Sequence, residues 1–281
     1  MTENRKQILS ELNIETQYYS QHTRVQYFKH IGDYLDYIDK VKGDWKDRDT
    51  LYKYTVKLRK RGLSQASINY IVRGPIGAIF RSFGLRLPVK LPKAIVGSAM
   101  IDFTERVSFT GDEVIEIIKA ARATGDSQTQ AILMISSIYG ARSSEIRAMR
   151  KEDIHPKKKT LVIHTLKYGF KREHRIPTLL ANTLYGYDFP IISGDYQGNI
   201  LKRVATEAGV DTRPRKSYHA IRHALINEMR YKAEFSLDVI SKFTGWREGG
   251  MASQYARPFP FQPEIDDQVF ANHPFLAYWE V

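Results

Sequence analysis

The 281-residue chain contains no cysteine. That absence excludes disulfides, thiolate nucleophiles, iron–sulfur clusters and cysteine-ligated zinc, and it fits a reducing interior. No apolar run approaches the roughly 18 residues that a membrane helix needs. The opening segment, MTENRKQILSELNIE, holds no apolar stretch of signal-peptide type. Internal repeats and low-complexity tracts are also missing. Acidic residues are short relative to basic ones, 31 against 43, which leaves a formal net charge of +12. Together these features predict a soluble, cytoplasmic protein with no membrane partner, whose basic surface meets a polyanion. What is abundant is apolar and aromatic surface: 42% of the residues are hydrophobic, with 17 Tyr and 13 Phe. A chain so composed can bury real cores, and its length suggests about two domains.

The apolar pattern divides accordingly. Between residues 16 and 41, Tyr27, Phe28, Ile31, Tyr34, Leu35, Ile38 and Val41 recur at helical spacing. A second helix is expected over Leu51–Arg61, ending at Gly62, and Ser64 reads as the N-cap of a third through Ile68, Ile71 and Val72. Pro75 should kink or split that segment. Residues 1–87 therefore read as a small helical domain and 88–108 as a linker. A second domain, 109–281, opens on a capping box, Thr110-Gly-Asp-Glu113, before Val114, Ile117, Ile118 and Ala121. A buried helix follows over Gln130–Tyr139. The run TLVIHTLKYGFKREHRIP then predicts two short strands around Lys167-Tyr168-Gly169, a basic hairpin. Helices resume near Asn199–Ala208, Tyr218–Tyr231 and Ser236–Phe243. The expected fold class is mainly α with a small β-hairpin or sheet (α+β), in two domains.

A scattered set of polar residues carries the chemistry. Arg142 follows an apolar helix and a glycine, and Glu145 lies three positions on, where it shares a helical face and can orient the guanidinium. Lys167 sits at the hairpin tip, where its ammonium can protonate a leaving oxygen; Lys171 competes for that role. Lys171, Arg172 and Arg175 make the hairpin basic and are expected to touch a DNA backbone. His219 and Arg222 stand at i and i+3, so both can face one phosphate, while His223, next to Arg222, reads as a structural residue on another face. Trp246 and Tyr255 lie nine residues apart. Two arginines can grip a phosphate, a lysine and a histidine can move protons, and a tyrosine can attack phosphorus. Each residue is unremarkable alone. Their order is what points to metal-free cutting and rejoining of DNA.

That order resembles the tyrosine recombinase (phage-integrase) family. Gly140-Ala141-Arg142-Ser143-Ser144-Glu145 matches the family's Gly-x-Arg-x-x-Glu, Lys167 its hairpin lysine, and His219 to Arg222 its His-x-x-Arg. Gly245-Trp246 and Tyr255 match the Gly-His or Gly-Trp position and the tyrosine that follows it. Thr244 stands where many members have leucine. The resemblance implies that Tyr255 attacks a phosphodiester to give a 3′-phosphotyrosyl link. Arg142 and Arg222 would stabilise the developing charge, Lys167 act as general acid, His219 mainly as general base, and Trp246 brace the phosphate site. It implies no metal and no cofactor, double-stranded DNA as partner, and a homo-oligomer of four protomers around a Holliday junction, with a monomer free in solution left open. Residues 1–87 would clamp DNA. The aromatic C-terminal tail, 258–281, would dock onto a neighbouring protomer, with packing at home as the alternative. Type IB topoisomerase chemistry and a catalytically silent DNA-binding protein on the same fold are the competing readings.

Overall fold

The computed structural model describes residues 3–92, 108–165, 170–213, 216–245 and 261–280. They divide into two compact units, within Met1–Ser98 and Ala99–Val281.

The first unit is all helix: α1 (Glu3–Glu15), α2 (Gln21–Val41), α3 (Arg48–Lys60), α4 (Gln65–Ile71) and α5 (Gly77–Ser82). Side-chain caps start three of these, with Ser20, Asp47 and Ser64 accepting from the backbone N–H three residues on. Pro75 falls where the α-helix is interrupted, between the end of α4 at Ile71 and the start of α5 at Gly77. It sits in a π-helical turn, Val72–Ile76, which joins α4 to α5 and whose i→i+5 bonding accommodates the missing N–H. The core gathers Leu12, Ile31, Tyr34, Leu51, Tyr54 and Phe80. Helix α1 was not foreseen, because it sends few apolar residues inward; among its described side chains Ile8 and Leu12 are the fully buried ones. Leu87, Val89 and Leu91, expected at the edge of a linker, pack against this core. The rest of the expected linker, 93–107, lies outside the described residues.

The second unit is built around α7 (Ser127–Tyr139), which is buried along most of its length. Before it comes α6 (Gly111–Ala123), started by the capping box of Thr110 and Glu113. After it come α8 (Ser143–Ala148) and a three-stranded antiparallel sheet, β1 (Ile154–His155), β2 (Thr160–Thr165) and β3 (Phe170–Arg175), in the order β1-β2-β3. The expected hairpin is β2–β3; β1 adds a third strand. Helices α9 (Thr178–Gly186), α10 (Gly194–Glu207), α11 (Tyr218–Tyr231), α12 (Leu237–Thr244) and α13 (Pro263–Ala271) complete the unit, with a 3-10 turn at Leu276–Trp279.

The C-terminal segment corrects one expectation. Rather than leaving for a neighbour, residues 261–280 pack at home: Trp279 is buried and donates from Nε1 to Ser137 Oγ at 3.1 Å, and His273 Nε2 lies 2.9 Å from the Ile138 carbonyl. Buried α7 supplies both partners, and the aromatic residues cover its apolar surface. Among the described residues no helix is long and apolar enough to cross a membrane.

Candidate active site

The site forms where α7 and α12 end. Gly140 and Gly245 close those helices in the left-handed conformation, at φ of 60° and 63°. Glycine adopts it without a Cβ penalty, and the last carbonyls of each helix are left without intrahelical partners. Two arginines take those carbonyls. Arg222, from α11 and 1% exposed, donates from Nη1 to the carbonyls of Gly140 and of Thr244, the latter at 2.8 Å. Arg172, from β3 and 4% exposed, donates from Nη1 to the residues one position earlier, Tyr139 O at 3.3 Å and Phe243 O at 2.8 Å. Guanidinium groups at helix C-termini also sit at the favourable end of the helix dipoles.

Arg142 is the N-cap of α8, in extended conformation. Glu145, buried one turn on, accepts from the Arg142 backbone N–H at 2.9 Å through Oε2 and from its Nη1 at 2.7 Å through Oε1. The expected i, i+3 partnership thus appears in the geometry. Glu145 Oε2 also lies 3.4 Å from Arg172 Nη2, so one carboxylate joins two arginines. Burial alone would raise the Glu145 pKa; the charge of Arg172 and the contacts with Arg142 outweigh it and hold the group below its usual range, ionised. Burial, set partly against Glu145, pulls Arg172 down to about 10. Arg222 is pulled down by burial first, then by the charges of Arg172 and Arg142. Three guanidiniums against one carboxylate leave a local positive excess. Arg222 Nη2 is buried and has no hydrogen-bond partner among the described residues.

His219, one turn before Arg222 on α11, faces the same electrostatic environment. Burial of one face, then the charges of His223, Arg222 and Arg142, push it down to about 4, although its solvent-open face screens part of this. It is therefore neutral near pH 7. His223 corrects an expectation: it lies at i+4, on His219's side of the helix, and the two rings meet edge-to-face with centroids 4.4 Å apart.

Strand alternation overturns another. Arg172 was expected on the DNA-facing surface of the hairpin, but β3 sends Arg172 and His174 inward and leaves Lys171 and Arg175 outside. The Nη groups of Arg172 are taken in the interior by backbone carbonyls, His174 and Glu145, and its burial keeps it from a phosphate backbone outside. Arg175 pairs with Asp267 at 2.9 Å, and Lys171 is exposed opposite His164. Lys167, Trp246 and Tyr255 lie outside the described residues.

Several residues escaped the sequence reading. The inward pair Arg172 and His174 could have been found from the period of two that continues to buried Ile176. Gly140 and Gly245 are more than motif letters. A Cβ on Gly245 would lie 2.6 Å from Arg172 Cδ, so the glycine makes room for the arginine. Asp266, which meets His174 Nδ1 at 2.9 Å, gave no sequence signal.

No family model matches the chain. It is 25% identical to tyrosine recombinase XerA of Thermococcus kodakarensis, over 74% of this chain and 77% of that one. Among solved structures it is similar to a lambda integrase dimer (residues 75–356) bound to a COC' core site, with a TM-score of 0.64, 15% identity, and coverage of 89% of this chain and 100% of that one. A lambda integrase tetramer bound to a Holliday junction gives a TM-score of 0.64 and 16% identity, with coverage of 92% and 78%. The Tn1549 transposon integrase in complex with transposon right-end DNA gives 0.55 and 13%, with coverage of 88% and 96%. At these identities the structural likeness is one of fold. In fold and in sequence similarity alike, the relatives of this chain are tyrosine recombinases.

Proposed function

We propose that the chain is a site-specific DNA recombinase of the integrase, excision or dimer-resolution type. The observation that carries this is the Arg222 guanidinium, locked in place by two helix-end carbonyls yet holding Nη2 buried and unpaired beside a cationic cluster. A buried donor without an acceptor is costly, and an anionic phosphate oxygen would satisfy it with a charge-assisted bond. Arg142 and Arg222 would stabilise the pentacoordinate phosphorus while Tyr255 attacks, leaving a 3′-phosphotyrosyl link and a free 5′-hydroxyl. Neutral His219 would accept the tyrosine proton, Lys167 would protonate the 5′ oxygen with Lys171 as its competitor, and Trp246 would brace the phosphate. The helical unit would clamp double-stranded DNA, and four protomers would exchange strands through a Holliday junction, as the tetrameric lambda integrase structure suggests by analogy.

The test begins with duplexes selected from a random pool by mobility shift and rebuilt as nicked suicide substrates. Wild type is expected to give an SDS-resistant adduct on the 3′ side of the cut, and Tyr255→Phe none. An adduct that persists in Tyr255→Phe removes that tyrosine from the role. No adduct on any selected duplex leaves a silent DNA-binding protein, and relaxation of supercoiled plasmid without junction products indicates type IB chemistry instead.

A further inference from the structure

We propose that Arg172 is a positioning residue of the phosphate site, the centre of a buried polar chain Asp266–His174–Arg172–Glu145–Arg142 that sets where the Arg142 guanidinium points. The proposal rests on the phosphoryl-transfer reading above and adds a residue to it.

Each link is a contact. Asp266 Oδ1 lies 2.9 Å from His174 Nδ1, and His174 Nε2 lies 3.3 Å from Arg172 Nη1. Arg172 Nη2 lies 3.4 Å from Glu145 Oε2, and Glu145 Oε1 accepts from Arg142 Nη1 at 2.7 Å. The directions agree along its length. A neutral His174 donates from Nδ1 to Asp266 and accepts at Nε2 from Arg172; burial keeps that ring neutral despite the aspartate. Tyr139 and Phe243 hold the ring in place, with centroids 5.4 and 4.9 Å away.

A structural role alone does not account for this chain. Buried ion pairs seldom stabilise more than apolar residues of the same volume, and Arg172 occupies an inward strand position opposite buried Ile163. What a guanidinium adds is a planar fork that fixes several acceptors at once. Here those acceptors are the ends of α7 and α12 and the carboxylate that steers Arg142. The same two helix ends hold Arg222, so Arg172 fixes the spacing between both phosphate-gripping arginines. At the far end Asp266 also accepts the Arg175 backbone N–H at 2.6 Å, which ties α13 to the hairpin.

The test compares wild type with Arg172→Lys, which keeps the charge and loses the fork. Covalent adduct formation is followed at saturating suicide duplex, with duplex Kd and thermal midpoint measured alongside. A Kd within about threefold of wild type and an adduct rate about 100-fold lower are expected, the cost of misplacing a gripping group by about an ångström. A wild-type rate at saturation overturns the proposal. Should wild type itself form no adduct, the recombinase reading fails, and orthovanadate binding to the DNA-free protein, followed by vanadium NMR, decides in its place. Roughly tenfold weaker binding by Arg172→Lys then supports the positioning role, and equal binding overturns it. If Arg172→Lys does not fold, Asp266→Asn takes its place, with the same readouts and a smaller expected loss, and wild-type behaviour overturns the chain.

Discussion

The two units bury polarity in opposite ways. Among the described residues of the helical unit, the buried hydroxyls of Thr16, Thr55 and Tyr34 each donate to a backbone carbonyl. No charge enters that core. The second unit buries Glu145, Arg172, Arg222, His174, Asp266 and His273. A fold needs none of these to be stable, since an apolar core does the same work at lower cost. The contrast separates a core that only holds a shape from one that also holds a charge pattern in readiness for an anion.

Five changes would break or sharpen that contrast. Glu145→Ala should cost the most, about 3–5 kcal/mol by urea denaturation, because it strands the buried Arg172 guanidinium. Arg222→Ala should slow covalent adduct formation by about 10²–10³ at saturating duplex, the loss typical of removing one oxyanion donor. Acid should weaken the second unit through its buried histidines. Burial pushes His273 down to about 4 in the folded state, from 6.5. Between those values the unfolded chain holds more protons, so stability is full above pH 6.5 and falls as the pH drops. The His273 share of that loss reaches roughly 3 kcal/mol near pH 4, read as urea midpoints across that range; His273→Gln should remove this share and leave the like-signed shares of His174, His219 and His223. In the helical unit, Tyr34→Phe removes the hydroxyl that donates to Trp45 O at 2.8 Å and should cost about 1 kcal/mol by the same measurement. Arg81→Ala, which breaks the exposed pair with Glu15, should change stability by about 0.5 kcal/mol or less. A loss in Tyr34→Phe as large as that in Glu145→Ala would erase the distinction between the two cores.

What could be read from the sequence was local. Arg142 with Glu145, and His219 with Arg222, are separated by one helical turn, so their neighbourhood follows from helix geometry once the helix is recognised. The capping box at Thr110 and the cap at Ser64 follow from equally short spacings. His223, one turn beyond His219, is a local misreading, whereas the misread strand residues depend on contacts across long stretches of chain. Arg172 looked like surface charge because its acceptors are carbonyls of Tyr139 and Phe243, and a backbone carbonyl has no letter in a sequence. His174 and Asp266 are 92 positions apart. Helix α13 did carry a local signal, Pro263 in its first turn, which was hidden by the reading of that region as a tail.

The collision that a β-carbon at Gly245 would make with Arg172 links two positions that no local rule couples. Substitutions there should travel in pairs across related sequences. A chain that keeps the arginine should keep the glycine, and one that has replaced the arginine with a shorter residue gains room for asparagine, a side chain that tolerates the left-handed φ of 63° at this position. The family motif, which records the glycine and not the arginine, would then be only half of a two-letter word.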